Sequence, residues 1–243
     1  MRQLDQTVAL VTGASRGLGR ALALALARRG ARLSLCARGE AALEAVAAEC
    51  RALGADVLVV AGDVADAADR ERLVALTLDR FGRVDVLVNN ASTLGPTPLP
   101  LLADTDPDAF DLVLLVNLSA PFRLARALAG GMLLRGSGLI VNVSSDAAVA
   151  GYPGWGAYSA AKAGLDGLTR VWAEELAGSG VAVVSVDPGD MDTDMHRAAA
   201  PDDDPTSLAR PEDVAEAFVA VIVEGPPDAT ARLEAGRLLE AAW

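Results

Sequence analysis

The chain has 243 residues, 52% hydrophobic and 22% charged, which suits one well-buried core and excludes a disordered, collagen-like or low-complexity chain. Lys and Arg number 21 against 33 Asp and Glu, and the net charge of −12 repels phosphate backbones and argues against a nucleic-acid partner. Two cysteines (Cys36, Cys50) and one histidine (His196) exclude a disulfide scaffold and a zinc site, so no metal is expected.

At the N-terminus, Asp5 stands where the apolar stretch of a signal peptide would begin. No run approaches the roughly 20 uninterrupted apolar residues of a membrane span, and a cytoplasmic protein with no membrane partner is expected. Short apolar runs at 8–11, 33–36, 57–60, 84–88, 139–143 and 181–186 read as strands buried on both faces of a parallel sheet. Helix-length amphipathic stretches follow at 18–29, 40–53, 67–81, 107–134, 158–177 and 211–223, the last opened by Pro211 with Glu212 and Asp213. The segment 198–207, with Pro201-Asp202-Asp203-Asp204-Pro205, reads as an exposed loop, and a short last strand is placed at 231–233. This βαβ array predicts an α/β fold: a three-layer, doubly wound Rossmann fold with a mostly parallel sheet, one domain over 1–243.

Thr12-Gly13-Ala14-Ser15-Arg16-Gly17-Leu18-Gly19 follows the first strand and opens the first helix. Glycines at that turn let the backbone approach a ligand closely, and the free amides of the helix N-terminus face a pyrophosphate, so a dinucleotide is the expected cofactor. An NAD site carries an acid at the end of strand two, about 20 residues on. Here that region reads Ala37-Arg38-Gly39; Arg38 can grip a 2′-phosphate as a fork, Arg16 supplies a second positive contact, and NADP(H) is expected. Gly13-Ala14-Ser15-Arg16-Gly17 also matches a nucleophile elbow, with Asp187 and His196 downstream. That elbow follows a mid-sheet strand, however, and only a dozen residues precede Ser15.

Tyr158 and Lys162 lie four apart, on one helix face and one turn from each other. A phenol titrates near ~10, and an ammonium about 4 Å away at an effective dielectric of about 20 is worth about 4 kcal/mol, roughly three pKa units. This predicts a phenol brought down toward neutral pH. Ser145 ends the fifth strand, on the ligand side of the sheet, where its hydroxyl can bond a carbonyl oxygen as charge develops on it; Ser144 is the adjacent competitor.

Taken in order with Asp63-Val64, Asn89-Asn90-Ala91, Asn117 and Pro188-Gly189, these motifs resemble the short-chain dehydrogenase/reductase family, in its compact single-domain branch. The resemblance favours Ser145 over Ser144, and implies that Lys162 holds the nicotinamide ribose and that Asn117 passes protons through water to the lysine. It also implies that Asp63 and Val64 meet the adenine, Asn89 and Ala91 the adenosine ribose, and Pro188, Gly189, Met191 and Thr193 the nicotinamide end. Thr193 as a plain helix cap is the alternative. Where the family often has glycine, this chain has Ser92. The implied activity is reversible, NADPH-dependent reduction of a ketone or aldehyde, with the proton from Tyr158. Substrate is expected between loops at 92–106, 146–157 and 190–210, with His196 in a lid. A non-catalytic NADP(H) sensor is the competing class. The tail lacks the family's Asp-Gly-Gly segment, which favours a homodimer through 107–134 and 158–177 over a tetramer.

Overall fold

The computed structural model describes residues 4–226 and 232–241. The chain runs β1 (Val8–Thr12), α1 (Gly17–Ala27), β2 (Arg32–Ala37), α2 (Glu40–Ala52), β3 (Val57–Ala61), α3 (Ala67–Phe81) and β4 (Val86–Asn89). It continues through α4 (Pro107–Leu114), α5 (Ala120–Arg135), β5 (Gly138–Val143), α6 (Gly156–Glu175) and β6 (Val181–Asp187). After these come α7 (Asp194–Ala199), α8 (Pro211–Glu224), β7 (Arg232–Glu234) and α9 (Ala235–Ala241).

The strands form one seven-stranded sheet in the order β3-β2-β1-β4-β5-β6-β7, with every neighbouring pair parallel. Strand residues alternate between two cores, because successive side chains leave opposite faces. Ala9 and Val11 of β1 join α1, α2 and α8, whereas Leu10 between them joins α3, α5 and Val181 and Val183 of β6. Layers of helix, sheet and helix result, as the apolar runs predict. Cys36 and Cys50 are buried free thiols, which burial pushes up to about 12 and about 11, and they serve as core groups.

Local chemistry sets the helix starts. Asp66 caps α3 by accepting from the Asp69 amide at 2.9 Å, and Asp106 caps α4 by accepting from Ala109 at 3.0 Å, with Pro107 in the first turn. Three departures from the sequence reading matter. The stretch 107–134 is not one regular helix: α4 and α5 are joined by a π-turn, Leu115–Ser119, a form concentrated at functional sites. By length and composition Pro107–Arg135 could cross a membrane; here Leu124, Ala125, Leu128 and Met132 are buried in the second core. α7 forms across the junction of the 190–210 segment with the expected loop, because Thr193 caps it. The last strand begins at Arg232, residue 231 lying outside the described residues, and α9 follows it unforeseen.

Candidate active site

β1 and β4 are sheet neighbours although β2 and β3 run off the other way, so the strand order reverses between them and a crevice opens at their C-terminal ends. The glycine loop and the residues after β4 meet there. Gly13 has φ +67°, and a Cβ on it would stand 2.8 Å from the Ala91 Cα; one on Gly19 would stand 2.3 Å from the Gly13 carbonyl oxygen. Only hydrogen fits at either position. Asn90 Nδ2 donates to the carbonyls of Thr12 at 2.8 Å and Gly13 at 3.2 Å, while Thr12 Oγ1 accepts from the amides of Asn90 and Ala91 at 3.1 and 3.0 Å. α1 starts at Gly17 with no side-chain cap and no acid in its first turn, so its leading amides stay open to an anion. Ser15 is half-buried and Leu18 is packed into the first core.

Arg38 directly follows β2, is exposed and has no ion pair among the described residues; Arg16 is exposed and 3.5 Å from Asp194. Asp63 and Val64 follow β3: the Asp63 carboxylate accepts from the Ala65 amide at 2.9 Å, and the Val64 carbonyl takes a bond from Arg70. Asn89 turns inward, its Nδ2 donating to Asn142 Oδ1 at 2.8 Å and to the Pro121 carbonyl at 3.5 Å. The side chain that braces the loop is Asn90, which sequence reasoning quoted but gave no task. Strand alternation is the signal: Asn89 is in register with Asn142, so the next residue faces differently.

α6 carries Tyr158 and Lys162, both buried. Lys162 Nζ donates to the Val143 carbonyl at 2.6 Å and lies 5.5 Å from the centre of the Tyr158 ring. Ser145 follows β5 and caps a 3-10 turn, accepting from the Ala147 amide at 3.2 Å and donating to Asp146 Oδ1 at 3.0 Å; Ser144 is fully buried. Asn117, inside the π-turn, accepts from the Thr93 amide at 2.9 Å and the Ser92 hydroxyl at 3.2 Å, and donates to the Thr93 carbonyl at 2.8 Å. It therefore ties down the loop after β4.

Burial pushes the Tyr158 phenol up to about 12; hydrogen bonding from Ser92 and Ser145 opposes this, and the charges of Asp187 and Asp146 add to it. This corrects the expected downward shift. The ammonium donates to the Val143 carbonyl, and loss of water around the phenol is the largest cause of its shift. Burial brings Lys162 down to about 8, against the pull of Asp166 and Asp187. At neutral pH Tyr158 is thus a neutral O–H, the form that donates a proton.

Beside Tyr158 lies a shallow apolar cleft lined by Leu94, Pro96, Pro100, Val113 and Ala157 among others. The Trp155 ring stands edge-on to Tyr158 at 5.5 Å. Asp146 accepts from the Tyr152 hydroxyl at 2.7 Å; burial raises its carboxyl, but bonds from Tyr152, Ser145 and the Ala147 amide outweigh that and hold it below the usual range.

The family model for short chain dehydrogenases matches residues 7–204. The chain belongs to the short-chain dehydrogenase family. It is 44% identical over 196 residues to a 3-oxoacyl-[acyl-carrier-protein] reductase of Synechocystis sp., covering 80% of this chain and 78% of that one. An actinorhodin polyketide ketoreductase variant solved with NADPH superposes with a TM-score of 0.85 at 34% identity, over 96% of this chain and 97% of that one. A metagenomic short-chain oxidoreductase in complex with NADP gives 0.81 at 35% identity, over 94% and 96%.

In this dehydrogenase the far wall of the crevice is the segment after β6. Asp187 accepts from the Gly189 amide at 3.0 Å and so fixes the Pro188-Gly189 turn. Met191 packs on the first core and bridges to Ala209. Thr193 does two things: its hydroxyl accepts from the His196 amide at 3.2 Å, capping α7, and its methyl lies 3.4 Å from where a Gly17 Cβ would be, against the glycine loop. His196 pairs with Asp203 at 2.9 Å and Asp190 at 3.7 Å. Those pairings, and Asp187's bond to Gly189, engage both residues elsewhere, and no bond of either to Ser15 occurs among the described residues, so the hydrolase arrangement is not seen.

Proposed function

We propose that this chain is a reductase that uses NADPH to convert a ketone or aldehyde to the alcohol, reversibly. The observation that carries the reading is a buried neutral Tyr158 with Lys162 one turn away and Ser145 at the neighbouring strand end, beside the glycine-loop crevice. The names of the relatives, an acyl-carrier ketone reductase and a ketoreductase solved with NADPH, support it.

The close-packed glycines and uncapped α1 fit a dinucleotide, and free Arg38 fits its 2′-phosphate. Gly13, Ser15, Gly17, Leu18 and Gly19 would hold the pyrophosphate, Arg16 and Arg38 the 2′-phosphate, and Asp63, Val64, Asn89 and Ala91 the adenosine. Lys162 would hold the nicotinamide ribose, with Pro188, Gly189, Met191 and Thr193 at the carboxamide end. When bound, NADPH supplies the hydride. Ser145 Oγ hydrogen-bonds the substrate oxygen as negative charge grows on it, and Tyr158 gives that oxygen its proton. Lys162, still cationic below about pH 8, lowers the cost of the phenolate left behind. Asn117 keeps the Ser92 loop against the site. The apolar lining of the cleft, Leu94, Val113 and Ala157, would face a hydrocarbon part of the substrate.

The setting we infer is cytoplasmic, without a nucleic-acid or membrane partner, in keeping with the −12 charge. A homodimer is supported by apolar side chains left exposed on α5 and α6, Phe122, Leu134 and Val171; a tetramer is the alternative.

A carbonyl panel run with NADPH and with NADH tests the reading. Tyr158→Phe is expected to lower turnover about 10²- to 10⁴-fold while nucleotide binding survives. Unchanged turnover would overturn Tyr158 as the proton donor, no turnover in the wild type would leave only the sensor reading, and equal use of NADH would overturn the NADP(H) assignment.

A further inference from the structure

Arg232 opens β7, in register with Ser185 of β6, and lies beyond the span matched by the family model. Its guanidinium reaches four groups on four segments. Nε donates to Asp166 Oδ2 at 3.1 Å, Nη2 to Asp187 Oδ2 at 2.9 Å and to the Ser145 backbone carbonyl at 3.2 Å, and Nη1 to Glu234 at 3.5 Å. The side chain is 20% exposed, and the acids it joins are buried, Asp166 at 3% and Asp187 at 8%. Asp166 is one turn past Lys162 on α6, and Asp187 fixes the turn at Gly189. Both carboxylates are also the charges that act on Lys162.

Only a planar fork with several fixed donors can satisfy two carboxylates and a carbonyl at once; an ammonium serves them one at a time. The bond to Ser145 is to its main chain, so it sets where the residue stands without using the hydroxyl. Ser145 sits with extended backbone at a strand end: its carbonyl also accepts from the Ala148 amide at 3.1 Å within the 3-10 turn, and its Oγ bonds Asp146, the Ala147 amide and the Tyr158 hydroxyl.

We propose that Arg232 is a positioning residue of the active site, which anchors the Ser145 main chain to the buried carboxylates of Asp166 and Asp187 and thereby aims the Ser145 hydroxyl at the reacting oxygen. The assignment rests on the reductase reading for its kinetic consequence, but the anchor itself is a property of the fold.

The test is a double-mutant cycle with an exchange measurement on the whole chain. Arg232→Lys keeps a cation for the acids, so it is expected to fold and to bind NADPH within about threefold of wild type, while kcat falls about tenfold. In a Ser145→Ala background the same change is expected to cost less than about twofold, because the hydroxyl it aims is gone. Hydrogen exchange over 144–149 is expected to rise about tenfold in Arg232→Lys, and further in Arg232→Met if that variant folds. Equal kinetic cost in both backgrounds overturns the positioning role, and unchanged exchange overturns the anchor. If the wild-type chain reduces no carbonyl, the reductase reading fails, and the exchange arm still decides the anchor.

Discussion

Lys162 lies over the face of Tyr158, Nζ 5.5 Å from the ring centre, and its hydrogen bond goes to the carbonyl of Val143. Tyr158 is held at about 12 and Lys162 at about 8, so across neutral pH both carry their protons. Asp166 on α6 and Asp187 on β6 favour the charged lysine, and Asp146 and Asp187 disfavour the phenolate. In the proposed mechanism, reduction needs the Tyr158 O–H and the Lys162 cation. Its kcat/KM is therefore expected to be level below about pH 8 and to fall as pH rises through that value, because Lys162 loses its charge while the phenol stays protonated. Oxidation of the alcohol, which needs a proton acceptor, should rise with pH instead. A pH–rate profile in both directions checks the signs, and the limb near 8 should vanish in Lys162→Met.

Arg38 should set nucleotide choice. A hydrogen bond to a charged partner contributes about 1.5–3 kcal/mol. Arg38→Ala is expected to weaken NADPH about 10- to 100-fold and leave NADH within about threefold. Arg16→Ala should cost less, because Asp194 already shares that guanidinium. Fluorescence titration with both nucleotides decides this.

Asn117 ties three groups of the Ser92–Thr93 segment to the π-turn. Asn117→Ala strands the Thr93 amide and carbonyl, and a loss of about 2–3 kcal/mol is expected. For a domain of this size that is a fall in Tm of roughly 5–10 °C, measurable by calorimetry. Asn117→Asp keeps the acceptor and should lose less. Turnover should drop in both, because Ser92 is one of the groups that stabilise the Tyr158 anion.

Gly19→Ala puts a methyl 2.3 Å from the Gly13 carbonyl oxygen, on backbone that cannot swing aside. NADPH affinity should fall more than about tenfold. Gly130→Ala, in α5 with nothing within 4 Å of its Cβ, is the control, expected to bind normally and gain about 0.4–1 kcal/mol.

The sheet was legible because its strands are apolar on both faces, and the placement of Thr12–Gly19 at the first turn and of Tyr158 and Lys162 on one helix face was legible because local geometry fixes where residues at that spacing fall. What escaped depends on packing between distant segments. Asn89 and Asn90 are neighbours with the same side chain, and only the register with Asn142 separates the inward one from the loop brace. Asn117 was named for a proton relay, whereas its amide is engaged by Ser92 and Thr93, and the π-turn that carries it leaves no mark in a helical pattern. The phenol's direction was misjudged because a charge at an assumed distance was weighed without the burial that opposes it. Arg232 pairs with residues 45 and 66 positions away, beyond any local window.

β7 leaves the ribosome after the other six described strands, yet it supplies the cation between Asp166 and Asp187. Six strands, the glycine loop and the Tyr158 helix can be complete while those carboxylates still lack their counter-ion. Setting of the Ser145 main chain is thereby deferred until β7 has emerged, and a chain cut short after α8 is expected to present a nucleotide cleft without that anchor.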